Sequence, residues 1–176
     1  WVTVAVLTAA VTYALRREDV RAGIGSAAEN TGDTVMDFIA QLTGETAENR
    51  ARWLPLIQQA EAENGLPAGL LDRLLYQESH YRSDIIEGRT VSGAGAVGIA
   101  QIVPRWHPSV DPLDTPAAIF YAARYLAQLY RQFGTWSHAL AAYNWGPGNV
   151  AAHGVDNLPA ETREYVASIT ADVGIA

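Results

Sequence analysis

Hydrophobic and polar positions along this chain repeat mostly with a helical period, and the strict alternation that marks strands is weak throughout. The pattern predicts a helix over residues 47–64, with Gly65 as its C-terminal cap. Pro55 lies inside this stretch, so a helix that begins only at residues 53–56, after a separate turn, is the alternative.

A second predicted helix begins at Pro67, carries leucines on one face and ends near Ser79. Residues 82–97 are rich in glycine and lack periodicity, which predicts a loop. Thr115 before Pro116 is typical of an N-cap and a first turn. Further helices are expected over residues 115–133 (closed by Gly134), 136–144 and 159–173. The sequence therefore predicts an all-α, helical domain.

The chain begins with an uncharged stretch, residues 1–15, followed by Arg16 and Arg17. This stretch is shorter than the roughly 20 residues that span a bilayer, so upstream residues would be needed to complete a transmembrane or signal-anchor helix. A buried or partner-contacting helix is the alternative. We expect a hydrophobic helix and candidate membrane anchor at residues 1–21, a tether with a short amphipathic helix at residues 22–50, and the main domain at residues 51–176.

Composition excludes several functional classes. The net charge is −7 and the arginines form no basic stripe, so a nucleic-acid partner is not expected. The chain has no cysteine, and its four histidines lack the spacing of metal ligands. No glycine-rich phosphate loop follows a predicted strand. We therefore expect neither a metal nor another cofactor.

Glu78 is the first candidate for chemistry, because it continues an apolar helix face. Leu71, Leu74 and Leu75 precede it by seven, four and three residues, which places all four side chains on one side of the helix. Burial disfavours an ionised carboxylate and raises its pKa, as a general acid requires. The alternative is a glutamate at a helix end whose side chain reaches water.

Three separated motifs accompany this residue. They are Glu78 followed by Ser79, the segment Ser-Gly-Ala-Gly-Ala-Val-Gly-Ile-Ala-Gln-Ile at residues 92–102, and Ala-Tyr-Asn-Trp-Gly-Pro-Gly at residues 142–148. In this order they resemble the soluble lytic transglycosylase (SLT) family of lysozyme-like domains. The resemblance covers about residues 53–169 and includes a closing segment that contains Tyr165.

The resemblance implies that Glu78 is the catalytic acid and base, and that Tyr165 lies near its carboxylate. It also implies sugar-groove positions for Ser92, Gln101, Tyr143 and Asn144. Each supporting residue has a structural alternative. Gln101 would cap a helix, Tyr143 and Tyr165 would be core aromatics, and Asn144 would hold the following turn.

The chain also departs from the family pattern. Ile99 and Ala100 replace the usual Leu-Met pair, and Trp145 stands where alanine is usual, either as a sugar-stacking platform or as a core residue. The loop before Ser92 is longer, with residues 87–90 as the expected insertion, which questions whether Ser92 reaches the groove.

The implied activity is non-hydrolytic cleavage of peptidoglycan between N-acetylmuramic acid and N-acetylglucosamine, which leaves 1,6-anhydromuramyl ends. Most glycosidases use two carboxylates, but no second one lies in a motif, since Asp84, Glu87, Asp111 and Asp114 are expected in turns or caps. The alternatives are a goose-type hydrolytic lysozyme and a virion or envelope structural module that keeps the groove. We expect a location in the cell envelope or a virion, with membrane or virion partners bound through residues 1–21.

Overall fold

A computed structural model describes the backbone of residues 32–175 and the side chains of residues 43–175. The predicted hydrophobic helix at residues 1–21 and the first part of the tether lie outside the described residues. The helices are α1 (Gly32–Asn64), α2 (Leu70–Ser79), α3 (Ser83–Ile86), α4 (Thr115–Phe133), α5 (Trp136–Trp145), α6 (Pro147–His153), the short 3-10 helix Val155–Asn157, and α7 (Ala160–Val173).

The prediction of an all-α fold is confirmed for the part of the chain that the structure describes. Extended pairing there is limited to one isolated antiparallel bridge between Val97 and Ile102. No helix within residues 32–175 is both long enough and apolar enough to cross a bilayer. Residues Glu45–Ala176 form one compact unit.

Helix α1 begins earlier than the sequence predicted. It runs without a break through Pro55 and extends back to Gly32, so neither residue 47 nor Trp53 begins it. Proline removes one backbone donor, which here leaves the carbonyl of Ala51 without its usual partner four residues on. Ala51 is exposed, so this carbonyl is accessible to solvent. The predicted end at Asn64 is confirmed, with Gly65 in the left-handed region at φ 66°.

Helix α2 begins at Leu70, three residues later than predicted, because the chain turns between Pro67 and Gly69. Gly69 is left-handed (φ 83°) and has no side chain to cap the helix. Glu61 of α1 does so instead, and its carboxylate accepts hydrogen bonds from the backbone N–H of Gly69 at 3.0 Å and of Leu71 at 2.8 Å. A buried acid on one helix thereby fixes the start of the next.

Two other helix boundaries differ from the expectation. The N-cap of α4 is Asp114 rather than Thr115, since the Asp114 carboxylate accepts from the N–H of Ala117 at 3.0 Å. Gly134 ends α4 as predicted. The pattern also missed α6, which begins at Pro147, and the single-turn helix α3 inside the expected loop. Both are too short to show a hydrophobic period.

The core forms around the leucine face of α2. Helix α2 packs against α7, and α5 packs against α4, α6 and α7. Each fully buried aliphatic side chain contributes about 1.5–3 kcal/mol relative to its exposed state. The fully buried aliphatic residues include Ile57, Leu70, Leu71, Leu74, Leu75, Ile99, Leu126, Leu140 and Ile169. This packing fixes the C-terminal end of α2, where Glu78 lies, against α7.

A buried polar network ties α2 to α1. Asp72 is only 5% exposed, and Arg50 donates to its carboxylate from Nε, at 3.0 and 3.1 Å, and from Nη2 at 2.6 Å. The hydroxyl of Tyr81, a fully buried side chain, donates to the same carboxylate at 2.8 Å. Asp72 therefore joins the first turn of α2 to the segment that follows its last turn.

That following segment has an unusual backbone. His80 and Tyr81 are consecutive residues in the left-handed region, at φ 51° and 53°, a conformation that costs non-glycine residues about 1 kcal/mol or more each. Asn49 of α1 donates to the carbonyl of Tyr81 and to the Ser83 hydroxyl, each at 2.9 Å. Contacts from α1 thus hold the turn that ends the helix carrying Glu78.

We expect Asp72→Ala to lower the free energy of unfolding by about 2 kcal/mol, because Arg50 loses its partner and the buried Tyr81 hydroxyl keeps only its longer hydrogen bond, to the backbone carbonyl of residue 72. Urea denaturation measures this change. The exposed Asp156 is the matched control, and Asp156→Ala should change the value by less than about 0.5 kcal/mol. Equal effects of the two substitutions would contradict the role assigned to Asp72.

Candidate active site

The described residues form a cleft of about 890 Å³ with Glu78 in its wall. Glu78 lies in the last turn of α2, next to the buried Ser79. The other walls come from residues 92–107, from α4 and from the end of α5 with the start of α6. The motifs that are separated in the sequence therefore meet at one cavity.

The carboxylate of Glu78 is held from α7. The hydroxyl of Tyr165 donates a 2.7 Å hydrogen bond to its Oε1. Burial raises the pKa of Glu78 from the ordinary 4.5 to about 7, and the Tyr165 hydrogen bond opposes that rise because it favours the ionised form. A group with a pKa near neutrality can both donate and accept a proton, as acid–base catalysis requires.

Two tyrosines, the buried Tyr165 and the half-buried Tyr143, lie near this carboxylate and differ in their contacts. Burial, followed by the negative charge of Glu78, raises the pKa of both Tyr143 and Tyr165 well above 10, so both remain protonated donors. Tyr143 lines the cleft and donates to the carbonyl of Ala100 at 3.0 Å, which ties α5 to the glycine-rich segment. Tyr165 is a core aromatic whose hydroxyl reaches Glu78 from behind the cleft wall.

The glycine-rich segment presents Gln101 through a tight loop. Val97 and Ile102 exchange two backbone hydrogen bonds, at 3.1 and 3.0 Å, and close the loop between them. Gly98 is left-handed (φ 76°), and a Cβ at this position would overlap the carbonyl oxygen of Pro112, so only glycine fits. Gln101 is itself left-handed (φ 46°) and lines the cleft, with its amide donating to the Gly98 carbonyl.

Asn144 and Ser92 both line the cleft. The side-chain oxygen of Asn144 accepts from the Thr162 hydroxyl at 2.8 Å, so Asn144 joins α5 to α7 as well as facing the cleft. The Ser92 hydroxyl accepts from the N–H of Ala96 at 2.9 Å. The longer loop before Ser92 therefore leaves its side chain at the cleft. Asp84 stabilises that loop, because its carboxylate accepts a hydrogen bond from the Thr90 hydroxyl at 2.7 Å.

Several aromatic residues of the cleft carried no motif and were missed from the sequence. Trp106 is 69% exposed at the cleft, with the Arg105 guanidinium 5.0 Å from its ring centre. His107 shares a 2.7 Å hydrogen bond with the Tyr121 hydroxyl, and Tyr121 stacks on Tyr125. The spacing of these two tyrosines, four residues apart on α4, is the signal that would have found them.

The position of Trp145 shows that its two alternatives, at the cleft or in the core, do not exclude each other. Its side chain lines the cleft and also packs against the hydrophobic core, with its ring centre 5.6 Å from that of His153. Among the described residues that line the cleft, Glu78 alone carries a carboxylate. Asp111 and Asp114 are turn and cap residues, as expected, since each accepts a hydrogen bond from a nearby backbone N–H.

Comparison with known proteins agrees with this arrangement. The sequence model of the family described as "Transglycosylase SLT domain" matches residues 55–165, well over half of the chain. The chain belongs to this family, as its motifs had indicated. It is also 35% identical over 103 residues to a protein of Alkalilimnicola ehrlichii named membrane-bound lytic murein transglycosylase F 2. The alignment covers 53% of this chain and 22% of that relative, so the chain spans about a fifth of the relative's length.

The raised pKa of Glu78 predicts a pH-dependent stability. The folded state retains a proton at Glu78 up to pH of about 7, whereas the unfolded state releases it near 4.5, so stability falls as pH rises between these values. The contribution is up to about 3 kcal/mol. Glu78→Gln cannot titrate and should lose less stability between pH 4.5 and 8 than the wild type. Urea denaturation at both pH values compares them, and identical pH dependence would contradict the shifted pKa.

Proposed function

We propose that this chain is a peptidoglycan lytic transglycosylase in which Glu78 acts first as an acid and then as a base. The single observation that carries the proposal is the Glu78 carboxyl group, the one carboxylate among the described cleft residues, with a pKa raised to about 7. Membership of the transglycosylase SLT domain family and the name of the relative support the same substrate.

In the first step protonated Glu78 donates its proton to the glycosidic oxygen between N-acetylmuramic acid and N-acetylglucosamine. The C1–O bond breaks, and the N-acetylglucosamine leaves with a free 4-hydroxyl. The carbonyl oxygen of the muramyl N-acetyl group bonds to C1 and takes the place of the second carboxylate that most glycosidases use. The positive charge then resides on the resulting oxazolinium ring.

In the second step the ionised Glu78 removes the proton from the muramyl 6-hydroxyl. The oxygen attacks C1, the bond from the N-acetyl oxygen breaks, and a 1,6-anhydro ring forms without consumption of water. Glu78 is protonated again at the end of the cycle. A pKa near 7 suits both steps, because neither protonation state is far in energy from the other.

The other cleft residues bind and orient the glycan in this proposal. Tyr165 orients the Glu78 carboxylate by direct hydrogen bonding, and Tyr143 contributes an aromatic face to the cleft wall. Ser92, Gln101 and Asn144 offer polar groups to sugar hydroxyl and N-acetyl groups. Trp106 and Trp145 offer ring faces on which sugars stack.

We further propose that the protein acts in the cell envelope, where its substrate lies, with residues 51–176 as the catalytic domain. Residues 1–21 would be the membrane anchor or the contact with an envelope or virion partner, joined through residues 22–50. The uncharged start followed by Arg16 and Arg17 supports this division, and the relative is named as membrane-bound. Fractionation of cells that express the chain with and without residues 1–21 tests it: retention of both forms in the membrane would contradict the anchor.

Digestion of purified peptidoglycan tests the reaction. We expect muropeptides with anhydromuramyl ends, which borohydride does not reduce, and we expect Glu78→Gln to lower their release by about a hundredfold or more. Mass spectrometry of the borohydride-treated products identifies the ends. Reducible ends alone would indicate a hydrolytic lysozyme, and equal rates for wild type and Glu78→Gln would exclude Glu78 as the catalyst.

Tyr165→Phe tests the control of the Glu78 pKa. The first step needs protonated Glu78, so kcat/KM should fall as pH rises above about 7. Loss of the Tyr165 hydrogen bond removes support for the carboxylate, so the Glu78 pKa rises and the fall begins at higher pH. We also expect a rate about tenfold lower at pH 6.

Tyr143→Phe is the matched control for this experiment, because the Tyr143 hydroxyl binds the carbonyl of Ala100 rather than Glu78. This variant should change the rate without moving the alkaline side of the pH profile. A profile for Tyr165→Phe that coincides with the wild-type profile would contradict the proposed role of Tyr165.

A further inference from the structure

A second groove, of about 360 Å³, lies between the C-terminal end of α1 and one face of α4. Asn64 supplies the α1 side. The α4 side consists of residues at helical spacings of three and four along one face, namely Tyr121, Arg124, Tyr125, Gln128 and Arg131. We call this the arginine groove.

The arginine groove is positively charged on a chain whose net charge is −7. Arg124 and Arg131 are exposed, and within the described residues neither forms an ion pair or a side-chain hydrogen bond. None of the described residues that line the groove is acidic. Guanidinium groups without an internal partner are available to an anionic ligand, and their planar donor sets match a carboxylate in two-point contacts.

The arginine groove continues the catalytic cleft. Tyr121 and Tyr125 line both cavities. Tyr143, which lines the cleft with Glu78, lies 5.8 Å from Tyr125 between ring centres, and Tyr125 lies 6.2 Å from Tyr121. A row of three aromatic rings therefore leads from the wall around Glu78 to the two arginines.

A purely structural role accounts for only part of this pattern. Arg131 lies in the last turn of α4, where a positive charge complements the helix dipole. Arg124 lies in the middle of the helix, where that effect is absent, and its partner-free position at the groove is left unexplained. The two arginines lie seven residues apart on one face of α4, and a shared binding surface accounts for both positions.

We propose that the arginine groove binds the free carboxylates of the peptide stems that peptidoglycan carries on its muramyl residues. This inference rests on the proposed function, since it assumes a glycan strand in the cleft beside Glu78. Stems branch sideways from such a strand, and a cationic groove that opens from the cleft wall is placed to receive them. The protein would then prefer strands that bear stems over bare strands.

The test compares kcat/KM of the full chain on three substrates: glycan strands with their peptide stems, strands from which an amidase has removed the stems, and strands whose stem carboxylates have been converted to amides. The variant is Arg124→Gln/Arg131→Gln, since glutamine keeps helix propensity and removes the charge. The control is Arg52→Gln/Arg89→Gln, which makes the same charge change at two exposed arginines outside both cavities.

We expect kcat/KM of the groove variant on stem-bearing strands to fall about five- to tenfold. This is the effect expected when two exposed charge contacts are lost. The groove variant should match the wild type within about twofold on the stripped and amidated strands, and the control should match it on all three. An equal loss on all three substrates, or no loss on any, would overturn the proposal. Absence of anhydromuramyl products from every substrate with the wild-type chain would instead overturn the proposed function.

Discussion

The desolvation of one carboxylate governs how the site of this protein is built. Glu78 continues the leucine face of α2, so the same packing that forms the core removes water from its carboxyl group and raises its pKa to about 7. The hydrogen bond from the Tyr165 hydroxyl to Oε1 of Glu78 compensates part of this desolvation cost. Core packing and the raised pKa of Glu78 are therefore consequences of the same helix placement.

The proposed chemistry depends on the position of α2, so the contacts at the two ends of that helix matter for function as well as for stability. Glu61 of α1 caps its start, and Asp72 joins Arg50 to Tyr81 beyond its end. These contacts come partly from residues that precede the family match at residues 55–165. The compact unit accordingly begins at Glu45, and the stretch before the matched region contributes to holding the helix that carries Glu78.

The local pattern predicted those helix features that depend on near neighbours. The ends of α1 and α4 were predictable because a left-handed glycine follows each helix, and the buried face of α2 because leucines recur at helical spacing. The alternative start of α1 at residues 53–56 was wrong because Pro55, although it removes a backbone hydrogen bond, does not end the helix there. Asp114 was missed as the N-cap because Thr115 is also a common N-cap residue and is followed directly by Pro116, which favours the first helical position.

The family, the all-α class of the described part and the candidacy of Glu78 as the catalytic residue follow from the sequence alone, because ordered motifs and periodicity are properties of the chain. Tertiary structure decided how Glu78 titrates, since burial and a hydrogen bond from Tyr165, 87 residues away, set its pKa. It also decided that Trp106, Tyr121 and Tyr125 share the cleft with Glu78. Desolvation and hydrogen bonding act through space, so the leucine spacing indicates that Glu78 is buried but does not give the size of its pKa shift.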